Sequence, residues 1–118
     1  MPAYAIAHLQ DLQFGPDIVA YLQAIDATLA PYGGRFLVHG SSVEALEGPF
    51  SGGVVVVAFP DRVQAGAWYA SPAYQAILPL RTRNTRGWVV LVDGVGERHR
   101  ATDLLRGPTS SVALDGNP

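Results

Sequence analysis

Two short stretches constrain the fold of this chain more than anything else in it. Residues 54–59 read VVVVAF and residues 88–92 read WVVLV. Each is short and rich in β-branched side chains, which favours a strand, and in each both alternating sets of positions are apolar. A strand of that kind has no water-facing side, so its sheet needs cover on both faces. Helices on one side alone would leave a large sticky surface, and the simplest cover for that surface is the same sheet from a second copy across a two-fold axis. The pattern therefore predicts a homodimer.

The remaining elements follow from periodicity and punctuation. From Ala3 to Leu9 the larger Tyr4, Ile6 and His8 alternate with alanines, a strand period of two. Pro16 and Asp17 open a helix whose apolar stripe is Ile18, Leu22, Ile25 and Leu29, and Gly33 and Gly34 supply positive-φ positions where it stops. Arg35 to Val43 is the next extended segment, with Glu44 to Glu47 continuing it past a bend, and Gly48 to Gly53 form a turn-rich link. Pro60 ends the strand at 54–59. Asp61 and Gln64 have capping-box spacing, and Ser71 before Pro72 repeats a start signal, so a second helical region divides into pieces near 61–70 and 72–78. Gly87 to Asp93 is the last strand.

The order β-α-β-β-α-β is the ferredoxin-like arrangement, an α+β fold with a four-stranded antiparallel sheet and helices on one face. Residues 1–95 form that domain. Residues 96–118 read as a C-terminal tail of lower apolar density, with a short helix around Thr102 to Arg106; wrapping a partner subunit and partial disorder are both open for it.

Composition excludes several function classes. A chain of 118 residues buries roughly two-thirds of its unfolded surface, so one core can hold it without staples. All eight basic residues are Arg, none cluster, and the net charge is −2, which argues against nucleic acid as a partner. Cysteine is absent, which removes thiol catalysis, disulfides and thiolate metal sites. No apolar run approaches about 18 residues and no basic leader precedes one, so the expectation is a cytoplasmic protein with no membrane partner.

Several separated motifs, in order, carry a resemblance: YGGRFLVHG (Tyr32–Gly40), LEG (Leu46–Gly48), VVVVAFPD (Val54–Asp61), AWYASPAYQAILPLR (Ala67–Arg81) and LVDG (Leu91–Gly94). Together they resemble the domain-of-unknown-function family 1330 over nearly all of residues 3–95. The resemblance implies a dimeric α+β barrel, the superfamily of cofactor-independent monooxygenases, muconolactone isomerase and haem-dependent chlorite dismutase. It implies no settled activity. Relatives often carry an acidic residue where this chain has Ala58, and Arg where it has His39, so a general base at position 58 is lost here.

The candidate site residues are few. His39 is the first, because imidazole exchanges protons near neutrality. Continued alternation puts Arg35, Leu37, His39 and Ser41 on one face, where Arg35 can hold a carboxylate or enolate beside the acid-base group. The structural alternative pairs Arg35 with Glu47 and hydrogen-bonds His39 to a backbone carbonyl. Glu47, at the rim of the turn, is a candidate base toward a C–H acid, or else a turn residue. Arg81 matches a family position and either neutralises an anionic ligand or caps its helix. Trp68 and Tyr74 are candidates for substrate contact, with ordinary core packing as their alternative. Ser71 reads as a cap. The three histidines stand far apart with no metal-ligand spacing, and no phosphate-binding glycine motif occurs, so no metal and no cofactor is expected.

These residues suggest a small-molecule pocket between sheet and helices. One reading is a cofactor-independent isomerase, cyclase or monooxygenase-like enzyme acting on a small carbonyl or carboxylate compound, with His39 and Glu47 catalytic and Arg35, Arg81, Trp68 and Tyr74 binding substrate. The second is a non-catalytic dimeric module that binds a ligand or a protein. A third, haem ligation by a lone histidine, stands behind both.

Overall fold

A computed structural model describes residues 1–106. The elements are β1 (Ala3–Gln10), α1 (Pro16–Leu29), β2 (Arg35–Val38), β3 (Gly53–Phe59), α2 (Arg62–Ala70), α3 (Pro72–Thr82) and β4 (Arg86–Asp93). The four strands form one antiparallel sheet in the order β2-β3-β1-β4, the ferredoxin-like arrangement expected from the element order. A short 3-10 helix, Ala101–Leu105, follows at the predicted position, and residues 107–118 of the predicted tail lie outside the described residues.

The register explains the core. Ala3, Ala5 and Ala7 of β1 pair with Phe59, Val57 and Val55 of β3 and with Asp93, Leu91 and Val89 of β4. This is the face under the helices, where Ala3, Ala5, Val57 and Phe59 pack with Tyr21, Ile25, Leu29, Trp68 and Tyr74. The opposite face carries Ile6 between Val56 and Val90, and His8 between Val54 and Trp88. Among the described residues Phe50 and Ser51 lie against His8, and much of this face is left in water: Trp88 is 51% exposed, Val90 42% and Val92 39%. The helices cover one side of these strands, as expected.

Local chemistry places the helices as read. The Asp61 carboxylate accepts from the Gln64 N–H at 2.8 Å and starts α2. Ser71 joins the two helical pieces: its hydroxyl donates to the Trp68 carbonyl at 2.7 Å and accepts from the Tyr74 N–H at 3.2 Å. That is a capping role, with Pro72 in the first turn. The third helix runs on to Thr82, past the predicted end at 78 and with Pro79 inside it, because its last turn packs against α1.

One segment differs more. The second strand stops at Val38 rather than Val43, and residues 44–47 are not a strand. Its register against β3 slips between Phe36 and Val38, and Gly40 then takes φ 76°, a left-handed turn that leads the chain off the sheet.

Candidate functional site

The alanines of β1 leave room beneath the helices, and a cavity of about 420 Å³ occupies it. Ala5, Ala7, Val55 and Val57 form its floor, Ile18, Tyr21, Leu22 and Ile25 of α1 its roof, and Trp68, Tyr74 and Arg81 close it from α2 and α3. Phe36, His39, Gly40 and Ser41 bound it at the end of β2. The walls are predominantly apolar with a few convergent polar groups, and the volume falls in the usual range for ligand pockets.

The polar groups are arranged around Arg81. The Tyr21 and Tyr74 hydroxyls lie 2.7 Å apart, and the guanidinium carbon of Arg81 sits 5.9 Å from the centre of the Tyr21 ring. Burial and the adjacent Tyr74 hydroxyl push Tyr21 well above the ordinary phenol range, so it stays neutral and can donate. Burial works against the charge on Arg81, but the oxygens of Tyr74 and Tyr21 outweigh it and its affinity for the proton is raised. Arg81 is only 9% exposed. Among the described residues no carboxylate pairs with it. Asp11, the one acid bordering the cavity, is engaged by Arg86, whose Nε donates to it at 2.8 Å.

Trp68 is held by the core around it. Its indole N–H donates to the Thr28 hydroxyl at 3.0 Å, which in turn donates to the Ile25 carbonyl at 2.7 Å. Its ring stands 4.1 Å from that of Tyr74 and 5.4 Å from that of Phe59. Trp68 and Tyr74 are therefore both core and cavity wall. The His39 ring stacks on Phe36, with centroids 4.2 Å apart and planes 16° from parallel.

Four of the sequence-selected residues, His39, Trp68, Tyr74 and Arg81, thus meet at one cavity. Arg35 and Glu47 do not join them. Arg35 borders a separate hollow of about 320 Å³ with Tyr4, Leu37 and Ala58, on the open face of the sheet. The shared wall of Arg35 and His39 is corrected accordingly: the slip after Phe36 resets the alternation, so His39 and Ser41 border the helix-side cavity while Arg35 and Leu37 border the other one. Glu47 is exposed in the 39–52 loop, borders neither cavity and makes no ion pair with Arg35. Tyr21 was not singled out, although a signal existed: Ile18, Tyr21 and Ile25 form an i, i+3, i+7 stripe as regular as the one read through Leu22.

No helix among the described residues is long and apolar enough to cross a membrane. Several solved structures share the fold. The methylated RPA0582 protein matches with a TM-score of 0.64 at 14% identity, over 83% of this chain and 84% of that one. A second structure of RPA0582, a protein of unknown function from Rhodopseudomonas palustris, gives 0.62 at 15% identity, over 80% and 83% of the two chains. A dimeric ferredoxin-like protein of unknown function from Jannaschia sp. CCS1 gives 0.52 at 15% identity, over 81% of this chain and all of that one. The comparison with curated proteins finds no match. A family model matches residues 2–95, and the chain accordingly belongs to the family described as a domain of unknown function, DUF1330.

Proposed function

We propose that this chain is a homodimeric small-molecule enzyme that works without a cofactor on a small carbonyl or carboxylate compound bound in the helix-side cavity. Dimerisation is supported by the apolar open face of the sheet and by the dimeric Jannaschia protein of the same fold. The observation that carries the reading is Arg81, a buried cation bordering an apolar cavity and paired with no carboxylate among the described residues. The oxygens of Tyr74 and Tyr21 hold this cation in place of a carboxylate, which leaves its positive charge available to a bound carboxylate or enolate. The Tyr21–Tyr74 hydroxyl pair gives the same oxygen a neutral donor. His39, which borders the same cavity, is the group able to move a proton to or from a carbon of the bound molecule.

The test uses 2-oxo acids and their neutral amides. The acids are expected to raise the melting temperature of the protein and the amides not to, and Arg81→Gln is expected to abolish the difference. Equal stabilisation by acids and amides would remove Arg81 from the site. In D2O the bound acid is expected to gain deuterium beside its carbonyl, with the rate falling about a hundredfold in His39→Ala. A second reading, a non-catalytic binding module, draws on the absence of any hydrogen bond orienting the His39 ring among the described residues. Recovery of a stabilising acid chemically unchanged and unlabelled would favour that reading.

A further inference from the structure

Leu12, Phe14 and Leu22 are large apolar side chains left in water, at 46%, 70% and 40% exposure. All three border the cavity that holds Arg81. They form its mouth: Leu12 and Phe14 lie in the loop between β1 and α1, and Leu22 lies on α1 one turn beyond Ile18. Exposed apolar groups that continue the wall of a pocket are where part of a ligand lies after leaving it.

The lip is fixed relative to the cation. The Gln13 N–H, between Leu12 and Phe14, donates to the Asn84 carbonyl at 2.7 Å, and the Asn84 N–H donates to the Arg81 carbonyl at 2.9 Å. The Asn84 side chain also donates to Asp17 at the start of α1, at 3.1 Å. One chain of hydrogen bonds therefore ties the lip, the first turn of α1 and the helix end carrying Arg81 into a pre-formed unit, which lowers the ordering cost of binding.

We propose that the ligand is an amphipathic monocarboxylate whose hydrocarbon body runs from the cavity out to its mouth, with its carboxylate on Arg81 and its far end lying over Leu12, Phe14 and Leu22. This rests on the reading of Arg81 as the anion site and adds the class of molecule that carries the anion. Among the described residues that border the cavity Arg81 is the one Arg or Lys, which suits a ligand with a single carboxylate and an apolar body.

The experiment is isothermal titration of the full chain with butyrate, hexanoate, octanoate and decanoate, and with the matching primary amides. Affinity for the acids is expected to rise about threefold to fourfold per methylene through decanoate, with the amides weaker at every length. In Phe14→Ser, a change at a position 70% exposed, butyrate and hexanoate are expected to bind as before while the gain from octanoate to decanoate disappears. A plateau at hexanoate, or an unchanged slope in Phe14→Ser, with acids still outbinding amides, would overturn the lip and leave the anion site standing. Equal binding of acids and amides would overturn the anion site and this proposal with it. A change of oligomeric state in Phe14→Ser by sedimentation would assign the lip to a protein contact instead.

Discussion

On β1 the two faces of the sheet carry side chains of opposite size: Ala3, Ala5 and Ala7 point under the helices, while Tyr4, Ile6 and His8 point away from them. Both faces are apolar, yet they do different things. Small residues facing a helical roof leave a hollow that the roof cannot collapse into, because α1 is already held by Ile18, Ile25 and Leu29. Large residues on a face that no helix of the described residues covers leave a surface that water meets at a cost. Hydrophobicity alone does not tell a pocket from an interface; residue volume and the presence of a second layer do.

Adjacent valines on the same strand separate the two roles most sharply. Val57, 4% exposed in the core, is expected not to tolerate Asp: an unpaired buried carboxylate costs about 3–5 kcal/mol, and the variant should unfold at far lower denaturant than wild type. Val56 points to the open face, and Val56→Asp is expected to give a folded monomer, read as native circular dichroism with halved mass in sedimentation. If both variants unfold alike, or if Val56→Asp remains a dimer, the distinction between the faces fails.

The hollow itself can be filled. Ala7→Leu puts three more carbons into the cavity, with an expected stability change within about 1–3 kcal/mol and complete loss of ligand-dependent stabilisation in thermal melts. Trp68→Phe keeps most of the ring but removes the donor to Thr28, and should cost about 1 kcal/mol in denaturant titrations without changing the dimer. The smallest effect concerns the join beneath the lip. The Asn84 side chain, and Arg83 beside it, hold the Asp17 carboxyl below its ordinary range. A lowered folded-state value means that the contact stabilises above the unfolded aspartate value, near pH 4, and fades as pH falls through the lower folded value. Asp17→Asn is expected to lower stability slightly at neutral pH and to match the wild type at the acid end, which flattens that limb of the stability curve.

How far the site was legible depended on the kind of signal each residue carried. Trp68, Tyr74 and Arg81 could be found because Asp61, Ser71 and Pro72 mark the helices that carry them, and His39 because its chemistry is unusual in so apolar a chain. Arg35 was grouped with His39 by counting in twos along a strand expected to reach Val43. The slip after Phe36 changed the parity, and nothing in RFLVHG announces it except Gly40. Glu47 attracted attention as a carboxylate near a turn, but a residue in a 14-residue exposed loop has no local rule that aims it at a pocket.

From the sequence alone came the order of the elements, their caps, and the fact that the sheet is apolar on both sides, since these depend on neighbours within a few residues along the chain. The tertiary structure decided that His39 borders the helix-side hollow, that Arg81 is buried with two tyrosines and, among the described residues, no paired acid, and that Leu12 and Phe14 edge the same space. Each of those facts is set by side chains brought together from separate elements, where the outcome turns on register, volume and desolvation rather than on any pattern read along one segment.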